Sequence, residues 1–467
     1  MQRSGAASRR FRQGQLPVID RDRKPRESVN CLLPVCIFFC AGLLIGLGQG
    51  QEAPPAVVEP PPRVVAAPNA ASVAAEKAHV HHQHVAAGNF VSEVDDDDEV
   101  QASIRKSADV LRSLDVRLMA QPDPDETPAL RGAAPAAPAA ADAAADVDAR
   151  VYAFYYAWYQ SPAVDGRWAH WNHEHLPHWD AAVRRRYPPF THDPDRRDVG
   201  AAFFPRLGAY SSSDGAVIDA HFAQMAAARI GVVVVSWYPP GKRDPNGPEV
   251  DGLVGRLLDA ALGRGLALCL HLEPWEGRTA AAQLADVAYA VERYGGHAAY
   301  HRVDGRPAFF AYDSYQIAAA DWRAARRAAD DGAWLAGLVL DAAQLDAYVG
   351  DGGFDAAYSY FGAARFTQAA TPDRWPALVA AAARRGGSFV PCVSPGYDDT
   401  RVRPWNGANA RSRDGGAYYD DEWRAAVASG AGRVAVTSIN EWHEGTQVEA
   451  GVPAAAAGGA SGRGGCA

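Results

Sequence analysis

GVVVVSWYPP, residues 231–240, sets the architecture of this chain. Four consecutive valines do not alternate with polar residues. A strand with one wet face would alternate; an unbroken apolar run suits a parallel strand covered on both faces. Seven other runs share that texture: VYAFYYAWY (151–159), LALCLHLEPW (266–275), RPAFFAYDSY (306–315), WLAGLVLDA (334–342), FDAAYSYFG (354–362), SFVPCVSPG (388–396) and RVAVTSINEW (433–442). Helical patterns separate most of them, such as VIDAHFAQMAAARI (217–230) and LVGRLLDAALGRG (253–265). Eight strand–helix units over about 300 residues predict an α/β fold, a (β/α)8 TIM barrel. A doubly wound open sheet is the alternative, but no Gly-rich phosphate loop follows the first strand.

Outward from this domain the composition changes. The 467 residues carry 46 basic and 55 acidic side chains, a net charge of −9, which argues against a nucleic-acid partner. Hydrophobic residues at 48% exclude a wholly disordered chain. Residues 1–28 are basic, and residues 29–50 are uncharged and apolar, about the length that spans a bilayer. The positive-inside rule then predicts a cytoplasmic tail, a single-pass type II signal anchor and a luminal C-terminal domain. Residues 51–148, rich in Ala and Pro, read as a disordered stalk with one short helix near 103–119. The barrel domain is expected over 149–453, and 454–467 as a tail without apolar periodicity. Cys269 and Cys392 lie in strand-like runs and are expected as buried free thiols.

A TIM barrel places its chemistry at the C-terminal ends of its strands. Here those ends carry aromatic rings and acids: Tyr156, Trp237, Tyr238, Glu273, Tyr312, Asn440, Glu441 and Glu444. Flat rings can stack on sugar faces while carboxylates and amides hold hydroxyls. Each ring alone is more often core than ligand, so the signal is their clustering. Glu441 and Glu444, three apart in SINEWHEGTQVE (438–449), supply the two carboxyl groups that glycoside cleavage needs. His170, His173, His175 and His178 in HWNHEHLPH could in principle meet at a metal ion.

These motifs resemble glycoside hydrolase family 99, the glycoprotein endo-α-1,2-mannosidases. FYYAWYQSPAVDGRWAHWNHEHLPHWD, LGAYSSSD, GVVVVSWYPP, LHLEPW, YDSY, GFDAAYSYF, PGYDDTRVRPWN and SINEWHEGTQVE occur in the family's order across about residues 152–453. The resemblance implies an endo-acting, retaining hydrolase that cuts the α-1,2-mannosyl bond of glucosylated high-mannose N-glycans through a 1,2-anhydro sugar. It assigns Glu441 as the base on the sugar 2-hydroxyl and Glu444 as acid/base. Tyr238 is implied to face the neighbouring glucose, Glu273 and Asn440 to hold hydroxyls, Tyr156 and Tyr312 to bracket the carboxylates, and the RPWN run to line the leaving-group side. It implies no metal or other cofactor, and a Golgi membrane location like the animal members. Two departures stand out. YYAWY lacks the Pro expected before Trp158, and the residues after Pro453 do not resemble a last barrel helix, so incomplete cover of the last strand is expected. A non-catalytic lectin-like relative or an inactive truncated form is the alternative.

Overall fold

The strand expected at 231–240 is the second of eight parallel strands in a computed structural model that describes residues 147–329 and 332–453. They are β1 Asp148–Tyr155, β2 Ile230–Trp237, β3 Ala267–Leu272, β4 Arg306–Ala311, β5 Trp334–Leu338, β6 Ala356–Tyr358, β7 in two pieces, Ser388–Val390 and Cys392–Val393, and β8 Val434–Val436. Each pairs with its sequence neighbour, and β8 returns to β1 with Val434 opposite Val151. Pro391 divides β7 because it lacks a backbone donor. Residues before it pair with β6 and residues after it with β8. The result is a parallel, nearly closed barrel sheet, consistent with the expected TIM barrel.

Period-two alternation sorts the side chains. Tyr152, Phe154, Val232, Val234, Cys269 and Phe310 pack together in the barrel interior, while Val151, Ala153, Val233, Val235 and Trp237 join the helical layer outside. Six helices of the outer ring are α1 Gly215–Ala227, α2 Val254–Gly263, α3 Ala280–Tyr294, α4 Ala319–Ala329, α5 Trp375–Arg384 and α6 Ala417–Ala428. Asp214 caps α1 by accepting from Ala216 N–H at 2.9 Å, satisfying one of the helix's orphan donors. Ile218, Phe222 and Met225 then recur on its buried face at helical spacing. The β5–β6 link is a shorter helical segment, Ala342–Leu345 running into Asp346–Asp351.

After β8 the chain makes a tight turn and pairs Gly451–Pro453 antiparallel with Phe203–Pro205, a ribbon unforeseen in the sequence. The expected incomplete cover of β8 is not what the structure gives. Val434, Ala435 and Val436 are fully buried, and the two valines share an apolar cluster with Tyr419 and Trp423 of α6 and Phe222 of α1. Cys269 and Cys392 are buried free thiols, as expected. Among the described residues no helix is long and apolar enough to cross a membrane. The expected anchor, stalk and C-terminal tail lie outside them.

Candidate active site

The segment after β8 is held from both sides. Ile439 N–H continues the ladder to Phe154 O at 2.8 Å, and Ser438 exchanges backbone bonds with Thr446 and Val448. Ser438 Oγ accepts from Glu441 N–H at 2.8 Å, and Glu441 caps the following turn, Trp442–Glu444, by accepting from His443 N–H at 3.2 Å. Next, Gly445 adopts φ 65°, and an added Cβ would lie 2.8 Å from Asp398 N. A residue without a side chain therefore lets the loop after β7 touch the turn, and Asp398 N–H donates to Glu444 O at 2.8 Å.

That contact delivers a cation to the second carboxylate. Arg403 Nη1 is 3.0 Å from Asp399 and 3.8 Å from Glu444 Oε1. Asp399 is itself buried and accepts from Tyr397 OH and Asn406 Nδ2, which fixes the guanidinium.

Burial sets the acidity of the pair. Glu441 is 4% exposed, and desolvation together with the charge of Glu444 drives its pKa well above the usual carboxyl value. Glu444 is raised to about 7, first by burial; Arg403 opposes that rise while Asp399, Glu273 and Asp313 add to it. Two such carboxyls titrate as a unit, and both hold a proton more firmly than free carboxyls do. In the empty site the deeper Glu441 is the better proton holder.

The facing wall comes from β2, β3 and β4. Ser236 Oγ donates to Glu273 Oε1 at 2.8 Å, and His271 Nδ1 lies 3.4 Å from the same oxygen. Tyr238 is 8% exposed, with its pKa pushed up by burial and by the charge of Glu273. Arg278 donates to the carbonyls of Tyr312 and Asp313. Burial and neighbouring Asp313 and Glu444 raise Tyr312, and burial with the charges of Glu273, Glu441 and Glu444 raises Tyr156. The Tyr156 hydroxyl makes a short hydrogen bond with that of Tyr360.

Glu441, Glu444, Glu273, Tyr156, Tyr238 and Tyr312 are thus electrostatically coupled in one place. Two other predicted residues are placed differently. Trp237, the last residue of β2, alternates outward, is fully buried against Tyr289 and donates to Asp251 at 2.9 Å. It is not at the barrel mouth. Asn440 is also fully buried. Its Oδ1 accepts from Tyr156 N–H, and its Nδ2 donates to Tyr156 O and Tyr210 OH. With those bonds made, it is a clamp between β8 and β1 rather than a sugar ligand. The four histidines of 170–178 do not converge on one another as a set. His170 packs on Trp158 and His443, whereas His178 stacks on Trp179 near Trp405.

Residues 146–458 match Glycosyl hydrolase family 99. The chain belongs to that family. Over 307 residues it is 38% identical to the mouse glycoprotein endo-alpha-1,2-mannosidase and 39% to the rat one. These matches cover 63% of this chain and 66% of each relative, just under two thirds of their length. A solved family 99 endo-alpha-mannosidase from Bacteroides thetaiotaomicron superposes with a TM-score of 0.60 at 37% identity, covering 66% of this chain and 89% of that one.

Several residues of this family 99 site escaped the sequence reading because they act from behind. Glu449 accepts from Tyr210 OH at 2.8 Å and from Trp442 Nε1 at 3.0 Å, and its other oxygen lies 3.2 Å from His221 Nε2. Tyr155 OH meets the remaining nitrogen of His221 at 3.1 Å. This buried network grips the turn that carries both carboxyl groups. Glu449 ends the SINEWHEGTQVE motif and Tyr210 lies in LGAYSSSD, which were the available signals; His221, inside a helical pattern, gave none.

Proposed function

We propose that this chain is an endo-acting, retaining glycoside hydrolase that cleaves the α-1,2-mannosidic bond of glucosylated high-mannose N-glycans and releases glucosyl-mannose. One observation carries the proposal: the turn after β8 presents two carboxyl groups, buried Glu441 and Glu444, with the Arg403 guanidinium 3.8 Å from the second. Glycoside cleavage requires two carboxyl groups, one as acid and its partner ionised. Family membership and the relatives' names supply the mannose specificity.

The sugar sets which carboxyl holds the proton. A 2-hydroxyl that donates to Glu441 stabilises its anion and leaves the acid's proton on Glu444. Glu441 then removes the 2-hydroxyl proton as O2 attacks C1. The C1 bond to the leaving oxygen breaks, and Glu444 protonates that oxygen. The product is a 1,2-anhydro sugar. Water next attacks C1, giving its proton to Glu444, while the C1–O2 bond opens and Glu441 returns its proton to O2. Both carboxyls end as they began, and two inversions at C1 give net retention.

The proposal also includes the type II anchor at residues 29–50 and a Golgi luminal domain, supported by the basic tip and apolar run. Protease protection of the C-terminal domain in sealed microsomes is the expected result; digestion without detergent would refute that topology. For the activity, the full chain is incubated with a glucosylated high-mannose glycan and the fragment is sized. A disaccharide or larger product of retained configuration supports the reading. A free monosaccharide, an inverted product or no product overturns it.

A further inference from the structure

Two histidines that the proposed reaction leaves unused stand beside Glu441. His170, Glu441 and His443 each offer a ligand atom, and the three atoms lie within 4.8 Å of one another. All three residues are more than nine-tenths buried. Glu441 Oε2 and both ring nitrogens of His443 have no hydrogen-bond partner there. Unpaired buried polar atoms are costly, so three in one small space point to something that binds them. The approach of His443 Nδ1 to Glu441 Oε1 is 3.8 Å.

We propose that His170, His443 and Glu441 form a binding site for a zinc ion, and that the bound ion inhibits the enzyme. The donor chemistry selects the metal. Two imidazoles and one carboxylate suit zinc, while calcium and magnesium favour oxygen-only sets. Ligand atoms around a tetrahedral zinc sit about 3.3–3.5 Å apart, so small side-chain rotations close the present spacing. The fourth position stays open for water. Asp244 Oδ1 lies 3.6 Å from His170 Nδ1, a carboxylate beside the ring of one proposed ligand. The inhibition rests on the role proposed for Glu441: a carboxylate bound to zinc cannot take the 2-hydroxyl proton. Zinc here is therefore an antagonist and not a cofactor.

The test is equilibrium dialysis of the full chain against zinc chloride, alongside His170→Ala and His443→Ala, with glycan release measured on the same samples. One zinc per chain is expected, with affinity at least about tenfold weaker in each variant. Glycan release by the wild type should fall in proportion to occupancy and return on chelation. Binding that neither substitution weakens, or full zinc occupancy with undiminished release, overturns the proposal. If the variants do not fold, cobalt substitution of the wild type replaces them. The intense visible absorption of a four- or five-coordinate nitrogen–oxygen site supports it, and the weak spectrum of hexa-aquo cobalt refutes it. Stoichiometric, histidine-dependent zinc binding by a chain that releases no glycan with or without metal would support the site and sink the hydrolase reading.

Discussion

Arg403 offers the sharpest perturbation of the carboxyl pair. It sits 3.8 Å from Glu444 Oε1, with the two side chains 22% and 17% exposed. Unit charges at about 4 Å interact by about 4 kcal/mol at an effective dielectric of 20, and partial exposure reduces that. Carboxylates beside an arginine typically shift by about 1–3 units. Arg403→Met removes a charge that holds Glu444 down and leaves the buried Asp399, which pushes it up. The Glu444 carboxyl, raised to about 7 in the wild type, should rise further by at least about one pH unit. The acid must be protonated to act, so the alkaline limb of the kcat/KM profile marks its loss of a proton. That limb should move to higher pH in Arg403→Met and stay near the wild-type position in Arg403→Lys, which keeps the charge. The assay is initial-rate glycan release across pH, with folding checked by thermal unfolding. An alkaline limb that stays put or moves down in the methionine variant would refute the electrostatic account of Glu444.

Three further outcomes are expected. Glu449→Gln keeps the side chain's shape but removes the charge that Tyr210 and Trp442 donate to. Hydrogen bonds to charged groups contribute about 1.5–3 kcal/mol, so kcat should fall roughly tenfold or more with KM little changed. Equal loss in both constants would deny it a positioning role. Glu422 on α6 is raised to about 8, first by burial, and accepts from Ser394 N–H at 2.7 Å. Its folded pKa exceeds the unfolded value of about 4.3, so its ionisation erodes stability as pH rises toward 8. Glu422→Gln should therefore gain in Tm over wild type between about pH 5 and pH 8, and a constant gap would contradict this. Phe310 is fully buried in the barrel interior between Tyr152, Phe154, Trp334 and Tyr358. Phe310→Ala should cost about 3–5 kcal/mol in urea unfolding, and a loss below about 1 kcal/mol would mean the interior is loosely packed.

The barrel was legible because its strands are covered on both faces and so read as unbroken apolar runs. All eight expected runs contain or overlap an observed strand, and most extend past it into the loops that carry polar site residues. The same feature hid which way a strand-end side chain points. Trp237 looked like a site residue, yet alternation along β2 sends it outward with Val233 and Val235. Asn440 was found but given the wrong task, since its bonds to Tyr156 and Tyr210 join segments more than 200 residues apart. The Phe203–Pro205 ribbon was invisible for a similar reason: three residues pair with three others at long range, without local periodicity. Long-range convergence likewise concealed the approach of Arg403 to Glu444 and of His170 to Glu441, although each residue lay within a recognised motif.

The central claim is that Glu441 and Glu444 together perform the cleavage. Its most direct test is single-turnover glycan release by the full chain, by Glu441→Gln and by Glu444→Gln, each shown to be folded. The account predicts release of glucosyl-mannose by the wild type and its abolition in both variants. Near-normal turnover by either glutamine variant would contradict it.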